Sequence, residues 1–204
     1  MNSYERWILP RLVDLVMRHG EIGRYRAAVV PRAAGAVLEI GAGSGLNFAY
    51  YGSEVERLYA LDPSTRLLRM AAGRVSLARM PVALLAASGE ALPLPDACLD
   101  AVVMTFTLCT IPDPAQALHE MRRVLKPGGR LFFAEHGLAP DPAVQRWQQR
   151  CSPLWRRLAG GCNLDRRIDA LIAASGFELR ELSTGYARAP RMLGYLYSGL
   201  AVPR

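Results

Sequence analysis

The sequence predicts an α/β protein: a doubly wound, seven-stranded, mostly parallel sheet with a helical lid at its N-terminus. Three observations carry this. Between residues 36 and 135, short apolar runs alternate with helical patterns, the order that gives parallel strands joined by right-handed crossovers. The first run, Val37-Leu38-Glu39-Ile40, ends in Gly41-Ala42-Gly43-Ser44-Gly45-Leu46. Asp62 closes the next run, Leu58-Tyr59-Ala60-Leu61, twenty-one residues after Gly41.

The elements follow in order. Residues 2–19 place Tyr4, Trp7, Ile8, Leu12, Leu15 and Val16 at helical spacing, and Pro10 is expected to kink that helix. A second helix is expected over 22–30, and residues 1–31 together make the lid. Strands are expected near 36–40, 57–61, 82–86, 99–104 and 130–135, with helices near 45–50, 65–78 and 114–124. Asp113-Pro114 reads as an N-cap followed by proline in the first turn. Gly128-Gly129 is expected to close that helix. Helical patterns return near 142–158 and 165–175, and strands near 177–183 and 193–201 finish the sheet. The reading is one domain over 1–204, with a cofactor-binding core at 36–135 and substrate-side helices and closing strands at 136–204.

The glycine segment points to a ligand. Glycines at the carboxyl end of a buried strand let the backbone turn sharply and approach a bound molecule. An acid at the end of the next strand is placed to accept from ribose hydroxyls. The pair therefore implies an adenosine-based ligand. A dinucleotide fingerprint is G-x-G-x-x-G, whereas the glycines here run G-x-G-x-G with Leu46 at the dinucleotide position. Glu39 would repel a pyrophosphate and could hold an ammonium. S-adenosylmethionine (SAM) has the ribose and the ammonium and no phosphate, so it fits better than NAD. A glycine turn without a ligand is the bland alternative.

Composition bounds the function. The chain has 204 residues, 51% of them hydrophobic, enough for one sizeable core. No apolar run approaches the roughly 18–20 residues needed to span a bilayer, and no signal-peptide pattern opens the chain. Cys98, Cys109, Cys151 and Cys162 show no C-x-x-C pair and no interleaved histidine at zinc spacing, so reduced thiols in a cytoplasmic protein, without a metal, are expected. The net charge of +7 comes from scattered pairs such as Arg122-Arg123, Arg156-Arg157 and Arg166-Arg167. No basic block is interleaved with stacking aromatics, so a solvated basic surface is expected rather than nucleic-acid binding. Peripheral membrane contact is the competing reading of that charge, and oligomeric state is left open.

The chain resembles the class I SAM-dependent methyltransferases. The resemblance rests on Val37–Leu46, Leu61-Asp62-Pro63-Ser64, Ser88-Gly89-Glu90-Ala91-Leu92-Pro93-Leu94, Leu99-Asp100-Ala101-Val102-Val103 and Leu125-Lys126-Pro127-Gly128-Gly129, which occur in the family's order. From Glu135-His136 through Gly160-Gly161-Cys162-Asn163-Leu164 to the C-terminus, the chain is similar to a narrower group. That group holds membrane-associated alkyl-thiol methyltransferases and small bacterial relatives. The resemblance implies an antiparallel hairpin at the end of the sheet. It places Gly41, Ala42, Gly43, Gly45 and Leu46 around the methionine part of SAM, with Glu39 at the ammonium. Asp62 would take the ribose, Pro63 and Ser64 the adenine face, and Ser88, Gly89 and Glu90 the adenine edge. Relatives often carry Asp or Asn where this chain has Ser88, whose hydroxyl has a shorter reach. Thr105 and Phe106 would border the reactive methyl group. Asp100 reads as structural.

Methyl transfer is an in-line displacement at a sulfonium, which needs alignment and exclusion of water. A base is needed only when the nucleophile arrives protonated. A thiol is partly ionised near neutral pH and is strongly nucleophilic. The favoured reaction is therefore S-methylation of a small apolar thiol or sulfide. C- or O-methylation of a quinone-like ring, or N-methylation of a phospholipid amine, is the alternative. An NAD-dependent oxidoreductase and a catalytically silent interaction protein are remoter. The substrate side falls to His136 as the catalytic candidate, an orienting or deprotonating group, and to Trp7, Thr107, Cys162 and Asn163. The amphipathic N-terminal helix is expected to pack over the site, with Trp7 and Ile8 meeting substrate or core. A helix lying on a membrane surface is the alternative.

Overall fold

The computed structural model describes residues 8–204. Its centre is a seven-stranded sheet in the order β3-β2-β1-β4-β5-β7-β6. The strands are β1 Gly35–Ile40, β2 Val55–Leu61, β3 Val82–Leu85, β4 Leu99–Thr105, β5 Leu125–His136, β6 Phe177–Tyr186 and β7 Tyr195–Pro203. The first five run parallel, and β7 pairs antiparallel with both β5 and β6. The register aligns Ile40 with Leu61 and with Met104, Leu61 with Leu85, and Thr105 with Ala134. The chain therefore leaves β1, β2, β4 and β5 at one common edge, where ligands of open α/β sheets bind.

Alternate residues of each central strand enter opposite layers. Leu38, Ile40, Val102, Met104, Leu131 and Phe133 pack with α4 Pro114–Val124 and α6 Ile168–Ala174. Val37, Ala101, Val103, Phe132 and Ala134 pack on the other face with α2 Gly20–Val29 and α3 Thr65–Ala72. Burial on both faces explains the near-continuous apolar runs. Phe132 and Phe133 are almost inaccessible, and truncation of either to alanine removes about 3–5 kcal/mol.

Several local expectations change. Residues 45–50 form only a short 3-10 turn at Phe48–Tyr50, because the glycines are used in turns and leave too few residues for a helix. Helix α3 stops at Ala72, followed by a 3-10 turn at Val75–Leu77. Helix α4 has Asp113 as its cap, accepting from the Gln116 amide at 3.0 Å, with Pro114 in its first turn. The helix ends at Val124, ahead of Gly128-Gly129, so those glycines do not close it. Leu99 pairs with Leu125 and Ala101 with Arg130, so residues 126–129 loop out of the ladder. Asp100 accepts from the Ala36 amide at 2.9 Å and from Lys126 at 2.8 Å, bracing the opposite edge of the sheet.

The lid departs most. Helix α1 spans Leu9–Met17, and Pro10 lies in its first turn; the stretch before Ile8 that the expected kink would join lies outside the described residues. The inward residues of α1 are Pro10 and Asp14. Ile8, Leu12, Leu15 and Val16 point outward, with Leu15 68% exposed. The packing of an apolar face over the site, with Ile8 inward, is thereby overturned: a polar latch holds the helix instead. Tyr4 and Trp7, and the substrate role expected of Trp7, lie outside the described residues. Helix α5, Pro142–Leu158, has the same polarity, with Gln148 and Ser152 buried and Trp147, Leu154 and Leu158 exposed.

Candidate cofactor and acceptor site

The glycine loop leaves β1 with Gly41, Gly43 and Gly45 all at positive φ (69°, 56° and 79°), a region other residues enter only with strain. The three are not equivalent. A Cβ on Gly41 would overlap Thr107, and one on Gly45 would overlap the Phe48 ring. A Cβ on Gly43 would meet no atom closer than 3.9 Å. Gly43 therefore faces open space, while its neighbours allow close packing. Ala42 is buried and Leu46 half-buried beside them.

Glu39 is buried at the end of β1, accepting from Asn47 Nδ2 at 3.0 Å and from the Tyr51 hydroxyl at 2.9 Å. Burial pushes its carboxyl up to about 7, against those hydrogen bonds and the nearby Arg26. Asp62 accepts from the Gly43 amide at 2.9 Å and the Ser64 amide at 2.8 Å. Burial raises its pKa while these two amides oppose the rise. One carboxylate thus ties the ends of β1 and β2 together. Ser64 caps α3 through the Leu67 amide, and Pro63 is exposed.

The segment after β3 is more inward-looking than expected. The Ser88 hydroxyl donates to Glu90 at 2.8 Å, and Glu90 accepts from the Asp113 amide at 2.7 Å. Ser88 and Glu90 therefore brace the start of α4. Gly89 packs on Ile40, Ile111 and Ala117.

After β4, Phe106 has a φ of 55°, a strained position for a bulky residue. The turn it makes directs the amides of Thr107, Leu108 and Cys109 at the carboxylate of Glu135, with Thr107 N at 2.7 Å and 3.0 Å from its two oxygens. Burial pushes Glu135 up to about 7. Thr105 accepts from Asn47 at 3.0 Å. Thr107 donates to the Thr105 carbonyl and packs on Gly41, so it buttresses the glycine loop and is not held out toward an acceptor.

Linear spacing suggested no metal-ligand cluster, and the fold corrects this. Cys109 from the β4 loop, His136 from the end of β5 and Cys162 from the loop after α5 meet with their ligating atoms all within 4.8 Å. Cys162 Sγ is 3.7 Å from Cys109 Sγ and 3.5 Å from His136 Nε2. The Cys109 hydrogen bond, and then the His136 ring, hold the Cys162 thiol well below the usual thiol range. The same sulfur contact and burial push Cys109 up. Burial opposes a charge on His136, but Cys162 and Glu135 outweigh it and raise its pKa. Asn163 donates its side-chain amide to the carbonyls of Cys109 at 2.8 Å and Gly161 at 2.9 Å. It therefore clamps the two cysteine loops together and neither caps a helix nor offers that amide to a substrate. Arg166 reinforces the clamp through the carbonyls of Leu108 and Ile111.

Sequence reasoning missed the lid contacts. Asp14 accepts from Arg74 at 2.7 Å and 3.1 Å, from Arg18 at 2.6 Å and from the Ser44 hydroxyl of the glycine loop. Burial pushes its carboxyl up, but these partners outweigh it and hold it down near about 2. Arg26 of α2 is buried beside the Phe106 ring, 5.9 Å from its centroid. Among the described residues, Arg26 Nε and Asn47 Oδ1 are buried polar atoms without a partner. One donor and one acceptor left open near Glu39 suit a zwitterionic amino-acid end, and Gly43 leaves it room. The residues present thus fit SAM, which supplies an electrophilic methyl on sulfur when bound.

The strand order and the glycine–acid edge define a SAM-dependent methyltransferase fold. Residues 38–133 match the methyltransferase domain family. A SAM-dependent methyltransferase from Aquifex aeolicus superposes with a TM-score of 0.64, covering 94% of this chain and 97% of that one at 17% identity, a likeness of fold. Human thiol S-methyltransferase TMT1B is 39% identical over 139 residues, 64% of this chain and 55% of that protein. Demethylmenaquinone methyltransferase of Renibacterium salmoninarum is 37% identical over 125 residues, 59% of this chain and 51% of that protein. The chain spans about half the length of these curated relatives. These likenesses are to SAM-dependent methyltransferases, and SAM is the cofactor they imply. Among the described residues, no helix is long and apolar enough to cross a membrane.

Proposed function

We propose that this chain methylates a small apolar thiol, with SAM held at the glycine loop. Glu39 and Asn47 take the ammonium, Arg26 the carboxylate, and Asp62 the ribose hydroxyls. Pro63, Ser64 and the 88–90 segment border the adenine, and Phe106 walls the methyl. The observation that carries the thiol is the make-up of the acceptor side beyond Thr107. It is built from two sulfurs and an imidazole, and the adjacent carboxylate, Glu135, is engaged by three backbone amides. A hydroxyl or a ring-carbon acid needs a free base to take its proton, whereas a thiol ionises readily without one. The likeness to a thiol S-methyltransferase supports this reading. Likeness to demethylmenaquinone methyltransferases favours a second one, C-methylation of a quinol ring.

Methyl-labelled SAM offered with an alkyl thiol, a demethylmenaquinol analogue and a phospholipid amine separates them. Label in the thioether is expected. Label in the ring carbon and none in the thioether would replace this reading with the second. The exposed apolar sides of α1 and α5 support peripheral membrane contact. Co-sedimentation with anionic vesicles, lost on Leu12→Ser/Leu15→Ser, is expected, and no co-sedimentation would remove that role.

A further inference from the structure

We propose that Cys109, His136 and Cys162 form a zinc site whose fourth position takes the sulfur of the acceptor. The inference rests on the thiol reading above and goes beyond it by naming how the acceptor is held. Zinc bound tetrahedrally lies about 2.3 Å from sulfur and about 2.0–2.1 Å from imidazole nitrogen. Two such ligands at the tetrahedral angle stand about 3.8 Å apart for a sulfur pair and about 3.5 Å apart for sulfur and nitrogen. The separations here are 3.7 Å between the sulfurs and 3.5 Å from Cys162 Sγ to His136 Nε2. A disulfide would need the sulfurs about 2.05 Å apart. Two edges of the cluster match a zinc tetrahedron, and the third, Cys109 to His136, lies within 4.8 Å, so an ion draws that side in.

The surroundings hold these ligands in place. Glu135 grips the Cys109 amide, while the Asn163 amide nitrogens hold the Cys109 carbonyl. Cys109 and His136 are buried, and Cys162 is partly open. Two cysteines, one histidine and an open position make up a catalytic rather than a structural set. The cluster also stands at the right place, since Cys109 lies two residues beyond Thr107, which packs on Gly41.

The chemistry balances. Zinc binding releases two protons, one from Cys109 and one from the Cys162–His136 pair, and the acceptor thiol releases its own to solvent as its sulfur joins the metal. The sulfur pair then forms a bond to the SAM methyl carbon as the carbon–sulfonium bond breaks. The products are S-adenosylhomocysteine and a neutral thioether, a weak ligand that leaves. A thiol with a pKa near 8.5 is only about 3% thiolate at pH 7. Holding it fully ionised raises the rate there by up to about 30-fold.

Cobalt(II) reports on the site directly. The full chain, reduced with a phosphine and stripped of metal, is titrated with cobalt, and its absorption is followed before and after addition of ethanethiol. One equivalent bound, with thiolate-to-cobalt charge transfer and the visible bands of a tetrahedral ion, is expected. Ethanethiol should shift those bands. Cys162→Ser should weaken the charge-transfer signal while still binding SAM, which shows that it is folded; His136→Ala, which should lose the tetrahedral visible bands, serves as a second variant. No cobalt binding, or an undiminished signal in both variants, would overturn the site. Thiol methylation by stripped protein at unchanged kcat/KM would overturn its role and leave the thiol reading standing. Cobalt and ethanethiol binding with no thioether product from any thiol would overturn the thiol reading and leave the metal site.

Discussion

Replacing Asp62 by asparagine separates its two jobs. In the structure its carboxylate braces the loop through the amides of Gly43 and Ser64, so removal of the whole group in Asp62→Ala would strip both. Asparagine keeps one acceptor and turns an NH2 toward the other amide. One buried N–H left unsatisfied costs about 1–3 kcal/mol, or roughly 2–12 °C in Tm for a chain of this size. Two hydrogen bonds from ribose hydroxyls would pass from charge-assisted to neutral. That difference amounts to about 1–3 kcal/mol in all, a loss of about 5- to 150-fold in SAM affinity. Calorimetric titration with SAM, alongside thermal unfolding of the unliganded protein, gives both numbers. A lowered Tm with SAM affinity unchanged within twofold would refute the placement of the ribose, leaving Asp62 as a loop brace alone.

Four further outcomes are expected. Gly43→Ala should lose about 1 kcal/mol of stability to its positive φ, yet weaken SAM much more, because its Cβ enters the open space. Gly41→Ala, which drives a Cβ into Thr107, should instead be strongly destabilised, as thermal unfolding will show; equal Tm values would undo the distinction. Ionised Glu39 is the form that meets an ammonium, so SAM should bind more tightly as pH rises through about 7. Below that pH, binding should release a proton, seen as buffer-dependent heat and lost in Glu39→Gln; buffer-independent heat in the native protein would contradict this. The folded-state pKa of Glu39 is raised above the unfolded value, so its contribution to stability is full below about 4.5 and lost as pH rises through about 7. Glu39→Gln should thus gain on the native protein by up to about 3 kcal/mol between pH 5 and 8, and a pH-independent difference between the two would refute it. Asp14→Asn should loosen the buried contact to Arg74 and Ser44, seen as faster amide exchange over Leu9–Met17 with the sheet unchanged. Unchanged exchange would show that the latch does not hold α1.

What was legible in the sequence is what neighbouring residues decide. An apolar run, a glycine turn and an acid on the next strand lie within 26 residues, from Val37 to Asp62, so the cofactor edge could be drawn from spacing and strand order. The cap at Asp113 is equally local. Cys109, His136 and Cys162 stand 27 and 26 residues apart, and only the docking of the loop after α5 on the β4 loop unites them. The amphipathic pattern of α1 showed two faces but not which one is inward. That choice is made by Arg74, which meets Asp14 across 60 residues. Glu135 looked like the end of a strand because its partners are three backbone amides, aimed by the left-handed turn at Phe106.

The most direct measurement is methyl transfer from isotopically labelled SAM to a small alkyl thiol, read by mass spectrometry of the product. The account predicts a labelled thioether and one equivalent of S-adenosylhomocysteine for each thiol consumed. Saturable SAM binding with no labelled thioether from any thiol, and label instead in a quinol ring or an amine, would contradict it.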